Sequence, residues 1–242
     1  MKTLLTVLIT ILSGILYAQS IPTKAKNLTS FVPENWKAIK MVHGDLNNDQ
    51  KDDLVLIIEE DNPKNIIEND GMGSKFLNLN PRYLLIIFQT PNGFELKELN
   101  KTFIPKENNE ESPCLMDPLV EGDIQINKGV LLLSLNYWLS CGSYGISRDT
   151  YTFRYQNGEF ELIGFDSMEA SRSSGEIIEH SVNFSTKKMS ITTGENLFGN
   201  PDEEEEIEPE IKTEWKTFKL KKLKNLKTLK FPLEWEFMGL YI

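Results

Sequence analysis

The sequence predicts an all-β protein in which antiparallel hairpins form a large twisted sheet or a sandwich. Three observations support this prediction. Several segments of strand length are apolar throughout or alternate between apolar and polar residues. Short turns that contain Asn and Gly separate these segments, which is typical of hairpins. Almost no segment shows the apolar period of an amphipathic helix.

Two predicted strands precede the hairpins. Residues 38–42 predict a short strand, and residues 54–59 predict a second strand that is apolar at nearly every position. We expect the second strand to be covered on both faces. Residues 60–81 form a long connection rich in Asn, Asp, Gly and Pro, and such connections are often functional. This one could fold over the Asp-rich loop at residues 45–53 or extend into solvent.

Four hairpins are predicted one after another along the rest of the chain. Their paired strands are residues 83–90 with 94–99, 123–126 with 130–138, 150–155 with 159–165, and 176–185 with 188–193. In the third pair, Tyr151, Phe153 and Tyr155 share one face of a strand, and polar residues share the other. We therefore expect one side of that sheet to face a core.

The first 20 residues have the layout of a secretory signal peptide. Lys2 precedes an apolar stretch over residues 4–17, and small residues follow it. The stretch is short for a membrane helix. We therefore expect an exported protein, periplasmic or secreted, with no membrane span after signal removal. Residues 21–242 are expected to form a single all-β domain.

The chain is acidic, with 36 Asp and Glu residues, 26 Lys and Arg residues and a formal net charge of −10. This charge argues against nucleic acid and anionic membranes as partners. The expected partner is an extracellular or envelope protein or a glycan, which the sequence does not identify. Residues 200–211 carry seven acids and predict an acidic loop. The lysine-rich segment 212–230 suits an edge strand protected by charge.

Cys114 and Cys141 are the two cysteines of the chain. In an exported protein, an isolated pair most simply forms a disulfide. Two buried free thiols, or a reactive Cys141, are the alternatives.

The most specific motif is the Asp45 loop, which we define as residues 45–53. Oxygen-bearing groups fall at alternate positions: the side chains of Asp45, Asn47, Asp49 and Asp53, and the backbone carbonyl of Lys51. Ca²⁺ takes about six to eight oxygen ligands, and alternate residues of a tight loop point inward. The spacing therefore predicts a Ca²⁺ site that acts as a structural clip. A solvated turn before a strand is the alternative.

The loop resembles a known family of calcium loops. Gly44-Asp45-Leu46-Asn47 opens it, and Asp53-Leu54-Val55 leads into the strand. This pattern is similar to the Asp-x-Asn-x-Asp-Gly-x-x-Asp loop of FG-GAP (integrin-type, VCBS-like) repeats, and the chain resembles exported bacterial proteins with a single loop of this kind. The resemblance covers residues 44–58. It implies Ca²⁺, extracellular interaction and propeller-like blades as the alternative fold, and it implies no activity.

Two positions set this loop apart from familiar calcium loops. Leu56 stands where an EF-hand has its twelfth-position Glu, so the loop is not an EF-hand. Gln50 stands where the FG-GAP loop has a Gly that adopts positive φ. Holding Gln in that conformation costs about 1 kcal/mol, so we expect weak affinity for Ca²⁺ or a distorted loop.

The sequence offers no recognisable catalytic motif. It has no Gly-rich phosphate loop, no Gly-x-Ser-x-Gly elbow and no His-Glu-x-x-His. His43 and His180 lie in no zinc spacing. The expected function is a non-enzymatic, exported, calcium-stabilised binding or structural module. The alternative is a secreted hydrolase whose catalytic carboxylates are hidden among the many Asp and Glu residues.

Overall fold

The computed structural model describes residues 20–199 and 210–242. Strands make up 52% of it and helices 3%, and its sheets are antiparallel. The predicted all-β fold is therefore confirmed. Within these ranges, no helix is long and apolar enough to span a membrane. Residues 1–19 and 200–209, which contain nearly all of the predicted signal peptide and acidic loop, lie outside the described residues.

The strands of the described chain follow the predicted order closely. They are β1 (Lys24–Ala25), β2 (Trp36–Gly44), β3 (Asp53–Glu60), β4 (Ile66–Glu68), β5 (Phe76–Asn78), β6 (Arg82–Thr90), β7 (Gly93–Asn100) and β8 (Asp123–Asn127). They continue as β9 (Val130–Trp138), β10 (Gly145–Gln156), β11 (Glu159–Ser171), β12 (Glu176–Asn183), β13 (Lys188–Asn196), β14 (Lys212–Thr217), β15 (Glu236–Phe237) and β16 (Leu240–Tyr241). The predicted hairpins are all present, as β6–β7, β8–β9, β10–β11 and β12–β13.

A five-stranded sheet contains β1, β7, β6, β3 and β2 in that order. Its strand β3 is buried at all but its last position, because both faces of the sheet are covered. Val55 and Ile57 belong to the main core. Leu56 and Ile58 pack on the opposite side with Phe31, which lies in a 3-10 helix over Leu28–Phe31. The expectation that this strand is covered on both faces is confirmed.

A seven-stranded sheet contains β8 to β14, each paired with the next strand along the chain. Tight turns make this order possible. Lys128 and Gly129 have φ values of 49° and 75°, and Asn157 and Gly158 have 55° and 80°. Positive φ at both turn residues is the geometry of the two-residue type I′ hairpin. The edge strand β14 is exposed along its whole length, which confirms the predicted charged edge strand for Lys212–Thr217 only. The rest of segment 212–230 does not belong to this strand, and its Leu226 and Leu229 are buried in the core.

The two sheets pack face to face as a sandwich. One core cluster joins Val55 and Ile86 of the five-stranded sheet to Leu133, Phe153 and Phe165 of the seven-stranded sheet. The edges β2 and β8 lie close together, and the Lys40 Nζ atom donates to the Gly122 carbonyl at 3.1 Å. Five- and seven-stranded sheets are not four-stranded blades. The described residues therefore form the predicted sandwich rather than the propeller-like alternative.

The long connection after β3 is more regular than the sequence suggested. It contains a 3-10 helix over Pro63–Asn65 and the small hairpin β4–β5. It also lies away from the Asp45 loop, because it leaves β3 at Glu60 while the loop enters β3 at Asp53. These ends are about 20 Å apart along an extended strand. The expectation that this connection could cover the loop is therefore wrong.

Candidate metal centre

The Asp45 loop joins β2 to β3 at one end of the five-stranded sheet. The two strands stay paired up to the loop, where Gly44 lies opposite Asp53. Leu46, the second residue of the loop, is fully buried in the core between the sheets. Asp49 and Gln50 are exposed. An apolar anchor therefore fixes one side of the loop while its polar tip faces solvent.

Side-chain oxygens hold the backbone of this tip. Asp45 Oδ1 accepts the Asp49 N–H at 3.1 Å, and Asp45 Oδ2 accepts the Gln50 N–H at 2.8 Å. Asn47 Oδ1 accepts the same Asp49 N–H at 2.9 Å. Asp49 Oδ1 accepts the Lys51 N–H at 3.0 Å, and the Lys51 ammonium lies 3.3 Å from Asp49 Oδ2. Four of the five predicted ligands thus belong to one hydrogen-bonded turn.

Asp53, the fifth predicted ligand, is fully buried. Its Oδ2 accepts the Leu46 N–H at 3.0 Å, and its Oδ1 accepts the Gln89 N–H at 3.1 Å. Burial raises the pKa of Asp53, the two backbone hydrogen bonds lower it, and the negative charges of Asp49 and Asp45 raise it. The three loop carboxylates therefore lie close enough to repel one another.

The backbone of the loop has the predicted strain. Gln50 has φ 66°, in the left-handed region that favours Gly, and Asn48 has φ 61°. Asn tolerates this conformation better than Gln does, because its short amide can bond to the local backbone. Gln50 therefore adopts the left-handed conformation at a cost of about 1 kcal/mol.

The loop also lies against the seven-stranded sheet. A Cβ atom on Gly129, in the β8–β9 turn, would lie 3.1 Å from Asn48 Oδ1. A Cβ atom on Gly44 would lie 2.7 Å from Ile126 Cγ2 in β8, which is too close. Both glycines therefore permit the close approach of the loop to the β8–β9 hairpin. The Asp45 loop is placed at the corner where the two sheets meet.

The donor chemistry of the loop fits a hard cation, because it offers only oxygen atoms. The arrangement of the carboxylates is less suitable for binding a cation. Both oxygens of Asp45 and both oxygens of Asp53 already accept backbone N–H groups. Among the described residues, no three His, Cys, Asp or Glu side chains form a group suited to a metal ion. An ion at this loop would need ligands of mixed kind, the side-chain oxygens and the Lys51 carbonyl, and Asn47 Oδ1 also already accepts a backbone N–H.

The predicted cysteine pair lies in the seven-stranded half of the molecule. Cys114 and Cys141 form a disulfide, with their Cα atoms 5.3 Å apart. Leu115 and Leu139 next to them form an isolated antiparallel bridge, and the Ser140 N–H donates to the Cys114 carbonyl at 2.8 Å. The disulfide therefore attaches the segment before β8 to the end of β9.

An ion cluster inside the five-stranded half was missed by the sequence reasoning. We define it as Lys37, Glu59, Arg82 and Asp117. The Arg82 guanidinium donates to Glu59 Oε2 at 2.7 Å and to both Asp117 oxygens at 2.6 and 2.8 Å, and Lys37 Nζ lies 3.0 Å from Glu59 Oε1. Burial raises the pKa of Glu59, but its hydrogen bonds to Arg82 and Lys37 lower the pKa below the usual value. These residues lie too far apart in sequence to show a common pattern.

A buried acid in the seven-stranded sheet was missed as well. Asp149 is 2% exposed and accepts the Ser167 hydroxyl at 2.6 Å from the neighbouring strand. Burial raises the pKa of Asp149 to about 6, hydrogen bonds from Ser167 and Ser147 oppose the rise, and the charge of Glu169 adds to it. The sequence indicates this acid only indirectly. Asp149 lies two residues before Tyr151, and alternate residues of a strand share a face, so Asp149 is a polar residue on the core-facing side of β10.

Comparisons with known proteins add no family assignment. No family model, curated protein or solved structure gives a significant match to the chain.

Proposed function

We propose that this protein is a non-enzymatic, exported module whose fold is stabilised by Ca²⁺ at the Asp45 loop. The observation that carries the proposal is the position of the loop. It is anchored in the shared core by Leu46 and lies against the β8–β9 turn through Asn48. A ligand that stabilises this loop therefore stabilises the contact between the two sheets.

The loop residues have separable roles in this proposal. Asp45, Asn47 and Asp49 supply side-chain oxygens, Lys51 supplies a backbone carbonyl, and Asp53 supplies the closing carboxylate. The divalent charge would offset the repulsion that Asp45 and Asp49 exert on Asp53. Without the ion, backbone N–H groups and the Lys51 ammonium partly compensate for the same charges.

The exported location rests on two features. The N-terminal sequence has the layout of a signal peptide. The Cys114–Cys141 disulfide suits an oxidising compartment such as the periplasm or the extracellular space. The partner proposed for such a module is an extracellular or envelope protein or a glycan, since the net charge of −10 disfavours nucleic acid.

A secreted hydrolase is the second candidate, and Asp149 is the observation that favours it. A carboxyl group with a pKa raised to about 6 is the kind of group that serves as a general acid. Asp149 is nevertheless only 2% exposed, and its Oδ1 already accepts the Ser167 hydroxyl. A substrate would have to displace its neighbours to reach it, so we rank the hydrolase below the binding module.

Thermal unfolding in four conditions tests the proposal. The purified protein is heated with Ca²⁺ or with a chelator, each with and without a reductant. At a Ca²⁺ concentration of about 100 Kd, binding contributes about 2.7 kcal/mol, so Tm should rise by about 5 to 10 °C. Reduction should lower Tm whether or not Ca²⁺ is present. A Tm that does not respond to Ca²⁺ would remove the calcium proposal, and one that does not respond to reductant would remove a stabilising role for the disulfide.

A further inference from the structure

A cleft opens over the inner face of the seven-stranded sheet, beyond the core. We call it the distal cleft. Its volume is about 570 Å³. The floor comes from β9 to β12, and Leu115 and Leu233 stand at its sides. This size lies within the range of about 300 to 1,000 Å³ that is usual for small-molecule sites.

The floor of the distal cleft is a row of neighbours across four strands. Ser147 lies opposite Tyr137 on β9 and opposite Glu169 on β11, and Glu169 lies opposite Ile178 on β12. The same face continues inward to buried residues such as Phe165 and Val182, because alternate residues of a strand share a face. The row therefore lies on the same face of the sheet as the core residues, beyond the part of that face which the five-stranded sheet covers.

The next pair of residues along β10 and β11 is small, which leaves room for the cleft. Gly145 lies opposite Ser171 at the end of the β10–β11 pair, and both line the cleft. A Cβ atom on Gly145 would meet only Ser143 Oγ, at an ordinary contact distance of 3.5 Å. Gly145 does not have a positive φ, so larger residues are compatible with its backbone. The fold therefore does not require Gly at position 145, but a larger side chain there would fill part of the cleft.

The charged side chains that line the cleft are acidic. Among the described residues, Glu169 and Glu176 are the charged side chains that line it. Arg172 lies beside the cleft, and its guanidinium donates to the carbonyls of Leu139 and Ser143 at 2.7 Å. Glu169 is exposed, and its negative charge acts to raise the pKa of both His180 and Asp149. Glu176 Oε2 accepts the Ser174 hydroxyl at 3.2 Å. Asp149 lies on the same face of β10 as Ser147, two residues closer to the core. The site therefore has negative charge beside the apolar walls of Leu115, Leu139 and Leu233.

We propose that the distal cleft binds a small organic cation, an ammonium group carried on an aliphatic or aromatic body. The apolar walls cover the body of the ligand, and Glu169 and Glu176 face its charge. The phenol ring of Tyr137 lies on the same floor and is a suitable surface for a cation. An anion would meet the negative charges of Glu169 and Glu176. This proposal does not depend on the Asp45 loop, which lies at another part of the fold.

Three probes of one shape test the charge preference. Phenethylammonium, phenylacetate and 2-phenylethanol share a ring and a short chain and differ in charge. Binding is measured by titration calorimetry and by chemical shift changes, in the full exported chain with Ca²⁺ held constant. We expect phenethylammonium to bind at least tenfold more tightly than either analogue. Equal affinity for the three probes, or no binding of the cation at millimolar concentration, would overturn the proposal.

Three variants locate the site. Glu169→Gln should weaken cation binding about five- to tenfold, because it removes one facing charge at constant shape. Gly145→Leu should abolish binding by filling the floor. Glu179→Gln is the matched control, since Glu179 lies opposite Met168 on the outer face of the same sheet. Affinity that is unchanged in Glu169→Gln, or lowered equally in Glu179→Gln, would contradict the assignment. Thermal unfolding of each variant shows that the fold is retained.

Discussion

The buried carboxylate of Asp53 accepts the backbone N–H of Gln89 at 3.1 Å and thereby joins the end of the Asp45 loop to the end of β6. Its other oxygen accepts the Leu46 N–H at 3.0 Å. One side chain therefore satisfies two backbone donors that the loop itself cannot pair. This arrangement gives Asp53 a structural role whether or not a cation is bound.

Replacing Asp53 by Ala should destabilise the protein even without Ca²⁺. The change leaves the Leu46 and Gln89 N–H groups without their acceptor, so we expect a loss of about 2 to 4 kcal/mol in the free energy of unfolding. Asp53→Asn should lose less, because one acceptor oxygen remains. Urea unfolding in the presence of a chelator measures both. The control is Asp52→Ala at the neighbouring exposed position, and equal losses at the two positions would contradict this role.

Replacing Gln50 by Gly should stabilise the loop. Gln50 has φ 66°, where Gly carries no Cβ penalty. We expect a gain of about 0.5 to 1 kcal/mol in unfolding free energy, and a rise in Ca²⁺ affinity of up to about fivefold if the strain is relieved on binding. Asn48→Gly is the comparison, since Asn already tolerates φ 61°. If Gln50→Gly destabilises the protein, the strain is not located at Gln50.

The local part of this fold was predictable because turn chemistry is a local property. Asn157-Gly158 and Lys128-Gly129 adopt the positive φ values that a two-residue hairpin needs, and the sequence shows Gly at the second position of each. The left-handed conformation of Gln50 was predictable in the same way, from its position in the loop pattern. The alternation around Tyr151 and Phe153 correctly predicted the buried face of β10.

Contacts between elements were not predictable from these patterns. The small hairpin β4–β5 was hidden in a segment whose Asn, Asp and Gly content suggested a loop. Asp149 and Ser167 meet across a strand pair, and Arg82 meets Asp117 from a distant segment. Such neighbours depend on register and sheet packing, which a single segment does not encode. The convergence of the Asp45 loop on the β8–β9 turn arises from sheet packing too.

Removing Arg82 should be far more damaging than removing a surface cation. Arg82→Leu leaves buried Glu59 without its main partner, so we expect a loss of about 3 to 5 kcal/mol. Adding Glu59→Leu to this variant should recover part of that loss. Lys24→Ala breaks the exposed Lys24–Glu95 pair, at 3.5 Å, and should cost less than about 1 kcal/mol. Chemical unfolding at neutral pH measures the free energy of unfolding of the three variants. If Arg82→Leu loses no more than Lys24→Ala does, the ion cluster is not important for stability.

The stability contribution of Asp149 should decrease as the pH rises. Its pKa is raised from 3.8 to about 6 in the folded protein, so the folded state binds the proton more tightly than the unfolded state. The stabilisation is fully present below pH about 4 and is lost as the pH passes about 6. We expect the difference in unfolding free energy between the wild type and Asp149→Asn to fall by about 2 to 3 kcal/mol between pH 4 and 7.5. A difference that does not change with pH would contradict the raised pKa.

Calorimetric titration of Ca²⁺ into the wild type, Asp49→Ala and Asp52→Ala tests the proposed metal site most directly. The wild type should show saturable binding at one site, because five oxygen-bearing groups follow the loop at alternate positions. Asp49→Ala should weaken this binding at least tenfold, and Asp52→Ala, at an exposed position outside the ligand spacing, should leave it unchanged. The absence of binding in the wild type, or the same isotherm in Asp49→Ala, would contradict the account.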